Sequence, residues 1–118
     1  MRDFHEIQVW QKAYALTLDI YKYTKSFPAQ ETNGLTSQLR RAAVSIPCNI
    51  AEGCGKSTDT DFARFLDIAM GSASEVECQL LLAKDLCYLP SITYVELNAG
   101  IVEVKRMLFG FIKRLRKG

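Results

Sequence analysis

Apolar positions recur every three to four residues in four successive stretches of the chain, and almost nowhere with the period of two that a strand requires. In the first stretch Val9, Ala13, Leu16, Ile20, Tyr23 and Phe27 share one face of a helix expected from about Gln8 to Ser26. Phe27-Pro28 ends it, because a residue before proline is pushed out of helical geometry. The second stretch, from about Gly34 to Glu52, points Leu35, Leu39, Ala42, Ile46 and Ile50 inward. Pro47 lies inside it and removes the hydrogen bond to the Ala43 carbonyl, which predicts a kink there. Gly53-Cys54-Gly55 is its stop signal.

The third helix opens at Ser57 or Thr58, either of which can cap it, with Asp59 and Asp61 at the positive end of its dipole. It is expected to run to about Cys87. Phe62, Leu66, Ala69, Ala73, Val76, Leu80, Ala83 and Cys87 step alternately by four and three without a polar interruption, a seam of coiled-coil type. In its middle, Gly71-Ser72-Ala73-Ser74 forms helix poorly, but its small side chains let a neighbouring backbone approach closely. The fourth helix follows Pro90, from about Thr93 to Arg116, with Tyr94, Leu97, Ile101, Val104, Leu108, Phe111 and Leu115 on one face. Four stripes joined by three short breaks predict an all-α, antiparallel up-down-up-down four-helix bundle, helix two kinked at Pro47, and a single domain over residues 1–118.

Composition narrows the function classes. The 118 residues suffice for one core, and 48% hydrophobic with 24% charged residues is ordinary globular usage. No uncharged apolar run approaches the roughly 18–20 residues of a membrane span. Met1-Arg2-Asp3-Phe4-His5-Glu6 has no apolar stretch behind it, so no signal peptide is expected, and a cytoplasmic location is. Cys48, Cys54, Cys78 and Cys87 form no C-x-x-C pair, and in that compartment they are expected as reduced thiols. Cys87, on the apolar stripe, is expected to behave as a small hydrophobe.

Catalysis finds little support. A carboxylate-bridged di-iron bundle needs Glu-x-x-His on two helices, and the one histidine, His5, precedes the first. Asp67, Glu75 and Glu77 fall off the apolar seam of helix three. Gly55-Lys56-Ser57 resembles the tail of a phosphate-binding loop, but that loop needs glycine where Ile50 stands and a preceding strand. With no histidine in the core, a serine or cysteine nucleophile has no evident base. The expectation is no enzyme, no catalytic residues, no metal and no cofactor.

The net charge of +2 is small, but the charge is segregated. Lys105, Arg106, Lys113, Arg114, Arg116 and Lys117 follow one another with no acid between them. At about 100° per residue Lys113 and Lys117 fall within about 20° on either side of Arg106, nearly opposite the apolar seam. Arg40 and Arg41 add a basic pair on helix two. Together these eight are the candidate contacts to nucleic-acid phosphates. The same run also complements the C-terminal end of a helix dipole, which needs no partner. Phe111 lies on the seam, so no aromatic residue is expected among these charges to stack on bases.

Helix two carries only Arg40 and Arg41 as charges between Thr32 and Ala51. Opposite its core stripe stand Gly34, Ser37, Arg41, Val44, Ser45 and Cys48, smaller and less charged than a solvated helix face. They are the candidate interface of a homo-oligomer. A helix buried centrally within the monomer is the alternative.

The block Gln38-Leu39-Arg40-Arg41-Ala42-Ala43-Val44-Ser45-Ile46-Pro47, followed by Asn49-Ile50-Ala51-Glu52-Gly53, resembles the signature of the four-helix-bundle family that includes the proteins encoded in intervening sequences of bacterial 23S rRNA genes. Val9-Trp10-Gln11-Lys12-Ala13, Phe62-Ala63-Arg64-Phe65-Leu66 and Arg106-Met107-Leu108 are similar to its other helices. Cys48 stands where that family usually has alanine, and Asp61 where it usually has glutamate. The resemblance implies a cytoplasmic bacterial bundle that forms a ring-shaped homo-oligomer, a pentamer in its known form. The chain is also similar to the accessory protein of diversity-generating retroelements, a basic pentamer that binds nucleic acid and its reverse transcriptase. RNA or DNA, and a protein partner, are thus the implied associates, and no membrane.

Overall fold

A computed structural model describes residues 2–117, in which four helices, α1 (Gln8–Thr24), α2 (Leu35–Cys54), α3 (Asp59–Asp85) and α4 (Ser91–Lys117), carry most of the chain. Single 3-10 turns at Phe4–Glu6 and Ala29–Glu31 precede α1 and α2, and no strand occurs among the described residues. The 27 residues of α3 and of α4 rise about 40 Å, close to the 45 Å long axis of the molecule.

The helix ends follow from local chemistry. The Thr58 hydroxyl accepts the Asp61 N–H at 3.1 Å and starts α3, with Asp59 and Asp61 in its first turn. Gly34 has no side chain with which to cap α2, and Glu31 reaches forward instead, its Oε1 accepting the Leu35 N–H at 3.1 Å. At the other end of α3 the Tyr88 N–H donates to the Ala83 carbonyl at 2.8 Å, closing the turn around Cys87. Cys87 has φ 65° and is exposed. The expectation of a buried thiol on the seam is therefore corrected: the helix stops at Asp85, and the terminating turn carries Cys87 out of the stripe.

The four stripes meet in one core. Leu39, Ile46, Ile50, Leu66, Val76, Leu80, Ile101, Val104 and Leu108 are sealed from solvent, while Tyr23, Tyr94 and Phe111 lie half-buried at its edges. Each helix packs on its neighbours in sequence, and α4 closes on α1. Paired residues run in reverse order along α1–α2 and along α3–α4, the order expected of antiparallel helices. Thr17 meets Ala43 and Thr24 meets Arg40 between α1 and α2; Glu77 meets Lys105 and Asp67 meets Arg116 between α3 and α4. At the end of α2 a Cβ on Gly53 would stand 2.7 Å from the Phe62 ring, so glycine is what lets α3 come this close. Pro47 is buried within α2, which continues helical through it to Cys54.

Candidate nucleic-acid and assembly surfaces

The candidate residues on the back of α2 border two different grooves. Arg41 and Ser45 turn toward α3, where with Gln38, Ala42, Ser72 and Glu75 they line a polar groove of about 330 Å³. Ser45 is held there by the Ser72 hydroxyl at 2.8 Å and the Asn49 amide at 2.9 Å. Val44 and Cys48 turn toward α1 and line a second groove of about 280 Å³ with Phe4, Trp10, Tyr14, Thr17, Pro47 and Ala51. Gly34 stands apart at the start of the helix, against Glu31. Of the six candidates Arg41 and Cys48 are exposed, and Gly34, Ser37, Val44 and Ser45 are half-buried within the monomer.

The apolar groove has a feature that single-helix reasoning missed. The segment before α1 folds back so that its Phe4 ring lies 4.8 Å from Trp10, which stacks at 4.8 Å on Tyr14. The Arg2 N–H anchors this segment on the Cys54 carbonyl at 3.0 Å. His5 joins the cluster, its ring stacked at 4.1 Å on Phe4, and its Nδ1 lies 2.8 Å from Asp3 Oδ1. That hydrogen bond holds the Asp3 carboxyl below the usual aspartate range.

The eight candidate cations are likewise divided. Arg40 turns inward: its Nε donates to the Thr24 hydroxyl at 2.8 Å and its Nη2 to the Tyr21 carbonyl at 3.1 Å. Lys105 pairs with Glu77 at 2.7 Å across the α3–α4 boundary. Arg106 pairs with Glu103, whose carboxyl that hydrogen bond holds below the usual glutamate range. Arg116 pairs with Asp67 through both guanidinium nitrogens. Among the described residues, no carboxylate lies within ion-pair distance of Arg41, Lys113, Arg114 or Lys117.

The C-terminal turns of α4 bring three of the eight together. Lys113, Arg116 and Lys117 line a shallow groove of about 510 Å³ with Phe109 and Ile112. Phe109 is 64% exposed. The expectation that no aromatic residue is interleaved with the cations is corrected here: Phe111 does lie at the core edge, but Phe109, two residues earlier, points out among them. Arg106 and Arg114 face a separate groove of about 600 Å³ between α4 and the start of α1, lined also by Glu6, Glu103, Met107 and Gly110.

The buried Cys54 thiol is pushed above the usual cysteine range by burial, away from the thiolate form a nucleophile needs. Among the described residues no three His, Cys, Asp or Glu side chains come together as metal ligands, and no helix is long and apolar enough to cross a membrane.

The model of the 23S rRNA-intervening sequence protein family matches residues 5–110. The chain belongs to that family. A solved structure from Bacteroides thetaiotaomicron VPI-5482, described as a protein of unknown function from the S23 ribosomal protein family, superposes with a TM-score of 0.82 at 27% identity. The match covers 89% of this chain and 95% of that one. No curated protein matches the chain. The family match takes in all of α1, α2 and α3 and α4 as far as Gly110, so Lys113, Arg114, Arg116 and Lys117 lie beyond its last matched residue.

Proposed function

We propose that this member of the 23S rRNA-intervening sequence protein family is a non-enzymatic, self-associating adaptor that holds RNA on the outer cationic end of α4. The observation that carries the reading is the groove in which exposed Phe109 lies beside Lys113 and Lys117, two lysines without a carboxylate partner among the described residues. Cations that track a phosphate backbone beside an aromatic face are the elements of single-strand recognition. Arg40, Lys105, Arg106 and Arg116 serve first as intramolecular ties, Arg114 faces the separate groove beside α1, and Arg41 lies apart on the α2–α3 groove. RNA rather than DNA is proposed because the family description names 23S rRNA. Assembly into a homo-oligomer, with the ring of five that the family resemblance implies, would repeat the groove around one particle and raise its avidity.

The test is RNA affinity measured across a salt series, for the wild-type chain and for Lys113→Glu with Lys117→Glu. Binding is expected to weaken steeply as salt rises. The double variant should bind more weakly and with a shallower slope, by roughly 0.7 for each phosphate it no longer neutralises. Salt-independent binding, or none, would leave the second reading: a structural or protein-binding homo-oligomer with no nucleic-acid role. The engagement of half the candidate cations by groups of the same chain favours that alternative.

A further inference from the structure

The outward side of α4 repeats the spacing of its core side. Ile92, Val95, Ala99 and Val102 step by three and four along it, and the same register continues into Arg106, Phe109 and Lys113. All are exposed, Ile92 to 73% and Val95 to 62%. A solvated helix face seldom keeps β-branched residues at this spacing; a seam awaiting another helix does.

A second stripe of the same spacing runs down the outside of α3: Ile68, Gly71, Glu75, Cys78, Leu82 and Asp85, all exposed. At its middle, a Cβ added to Gly71 would meet nothing within 4 Å. Glycine inside a helix costs stability, and no atom of the chain itself approaches to require it. A backbone or bulky side chain from outside the chain would.

The two stripes complement each other. That of α4 is a ridge of larger side chains whose cations are Lys113 and Arg106, the latter already bonded to Glu103 of its own helix; that of α3 is lowest at Gly71 and carries Glu75 and Asp85, with Arg64 one step before Ile68 as its cation. Within one chain they never meet, because α3 and α4 pack through other sides, tied by Glu77–Lys105 and Asp67–Arg116. Ile92, Val95 and Val102 together keep on the order of 300 Å² exposed, and Ile68 and Leu82 together roughly 200 Å², a substantial share of the apolar part of a standard interface of about 800 Å² per partner.

We infer that the ridge of α4 from Ile92 to Val102 seats on the α3 stripe around Gly71 of a second copy of this chain. The inference rests on the self-association proposed above and names the surface that meets the α2–α3 side of the neighbour, where Glu75 also borders the Arg41 groove.

Complementation of two defective chains tests it, read by light scattering after gel filtration at tens of micromolar. Val102→Asp spoils the ridge and Gly71→Arg fills the seat; both sites are exposed, and retained helicity confirms folding. Each variant alone is expected to run as a monomer. Their equimolar mixture is expected to form complexes holding one of each, since the intact ridge of Gly71→Arg still fits the intact seat of Val102→Asp. Val95→Asp with Cys78→Arg provides a second pair. A mixture that stays monomeric while the wild type assembles, or a Gly71→Arg chain that assembles like the wild type, overturns the α3–α4 pairing alone. A monomeric wild type overturns the self-association reading with it.

Discussion

The Thr17 hydroxyl lies 3.1 Å from the carbonyl oxygen of Ala43, the backbone acceptor that Pro47 leaves without its helical donor. Proline at position 47 has no N–H to offer four residues back, and a buried carbonyl without a partner is costly. Thr17, on the neighbouring helix, supplies the missing proton, which it shares with its own Ala13 carbonyl at 2.8 Å. The proline inside α2 is thus tolerated through a side chain of α1. Thr17→Val is expected to lower stability by about 1 kcal/mol. In a Pro47→Ala background, where the residue 47 N–H can serve Ala43 directly, the same substitution should cost markedly less. Urea unfolding of the four chains of this cycle measures the coupling, and an equal cost in both backgrounds would remove Thr17 from the role.

Cys87 occupies the left-handed position that ends α3, with φ 65° and the Tyr88 N–H bonded back to Ala83. A side chain there carries a steric penalty that glycine does not. Cys87→Gly should therefore raise stability by roughly 1 kcal/mol, and Cys87→Val lower it. The midpoint of denaturant unfolding should move in opposite directions for the two variants, with the slope unchanged.

The core was legible because helical burial is a property of one helix at a time. Leu39, Ile46 and Ile50, or Leu66, Val76 and Leu80, are marked by spacing alone, and each is buried. The surface depends on which helices become neighbours. Arg116 is 49 residues from its partner Asp67, and Lys105 is 28 from Glu77, so a basic run read along α4 alone conceals that the next helix answers part of it. Arg40 stands beside Arg41 in the chain, yet the first folds against α1 and the second faces solvent. The fold-back that sets Phe4 on Trp10 depends on Arg2 reaching the end of α2, which no local pattern encodes.

Glu31 ties two ends of the bundle together. Its carboxylate accepts the Leu35 N–H at 3.1 Å and the Tyr88 hydroxyl at 2.9 Å, joining the start of α2 to the turn after α3. The Leu35 backbone bond first, and then Tyr88, hold this carboxyl below the usual glutamate range, and the same contact pushes the Tyr88 hydroxyl up. Because the folded value is the lower one, the stabilisation is fully present above the unfolded value of about 4.3 and is lost as pH falls through the folded value. Stability between about pH 5 and pH 3 should therefore fall less steeply in Glu31→Gln than in the wild type. Tyr88→Phe should produce a smaller change of the same sign, since the Leu35 bond remains. Parallel acid dependences in wild type and Glu31→Gln would show that the carboxylate contributes nothing.

Arg40 and the pair Lys113 and Lys117 separate folding from binding. The Arg40 guanidinium closes on the last turn of α1 through the Thr24 hydroxyl and the Tyr21 carbonyl, and lies 4.7 Å from the centre of the Tyr21 ring. A cation there complements the negative end of the α1 dipole, so Arg40→Ala should lower stability by about 1–2 kcal/mol. It should leave RNA affinity within about twofold, because the charge already faces its own chain. Lys113→Glu with Lys117→Glu should do the reverse, leaving stability within about 0.5 kcal/mol while weakening RNA binding about tenfold or more at low salt. Thermal unfolding and a binding titration on the same samples place each variant on both axes. If Arg40→Ala weakened binding as strongly as the lysine pair, the bound phosphates would have to reach α2, and the cationic end of α4 would be only one edge of the site.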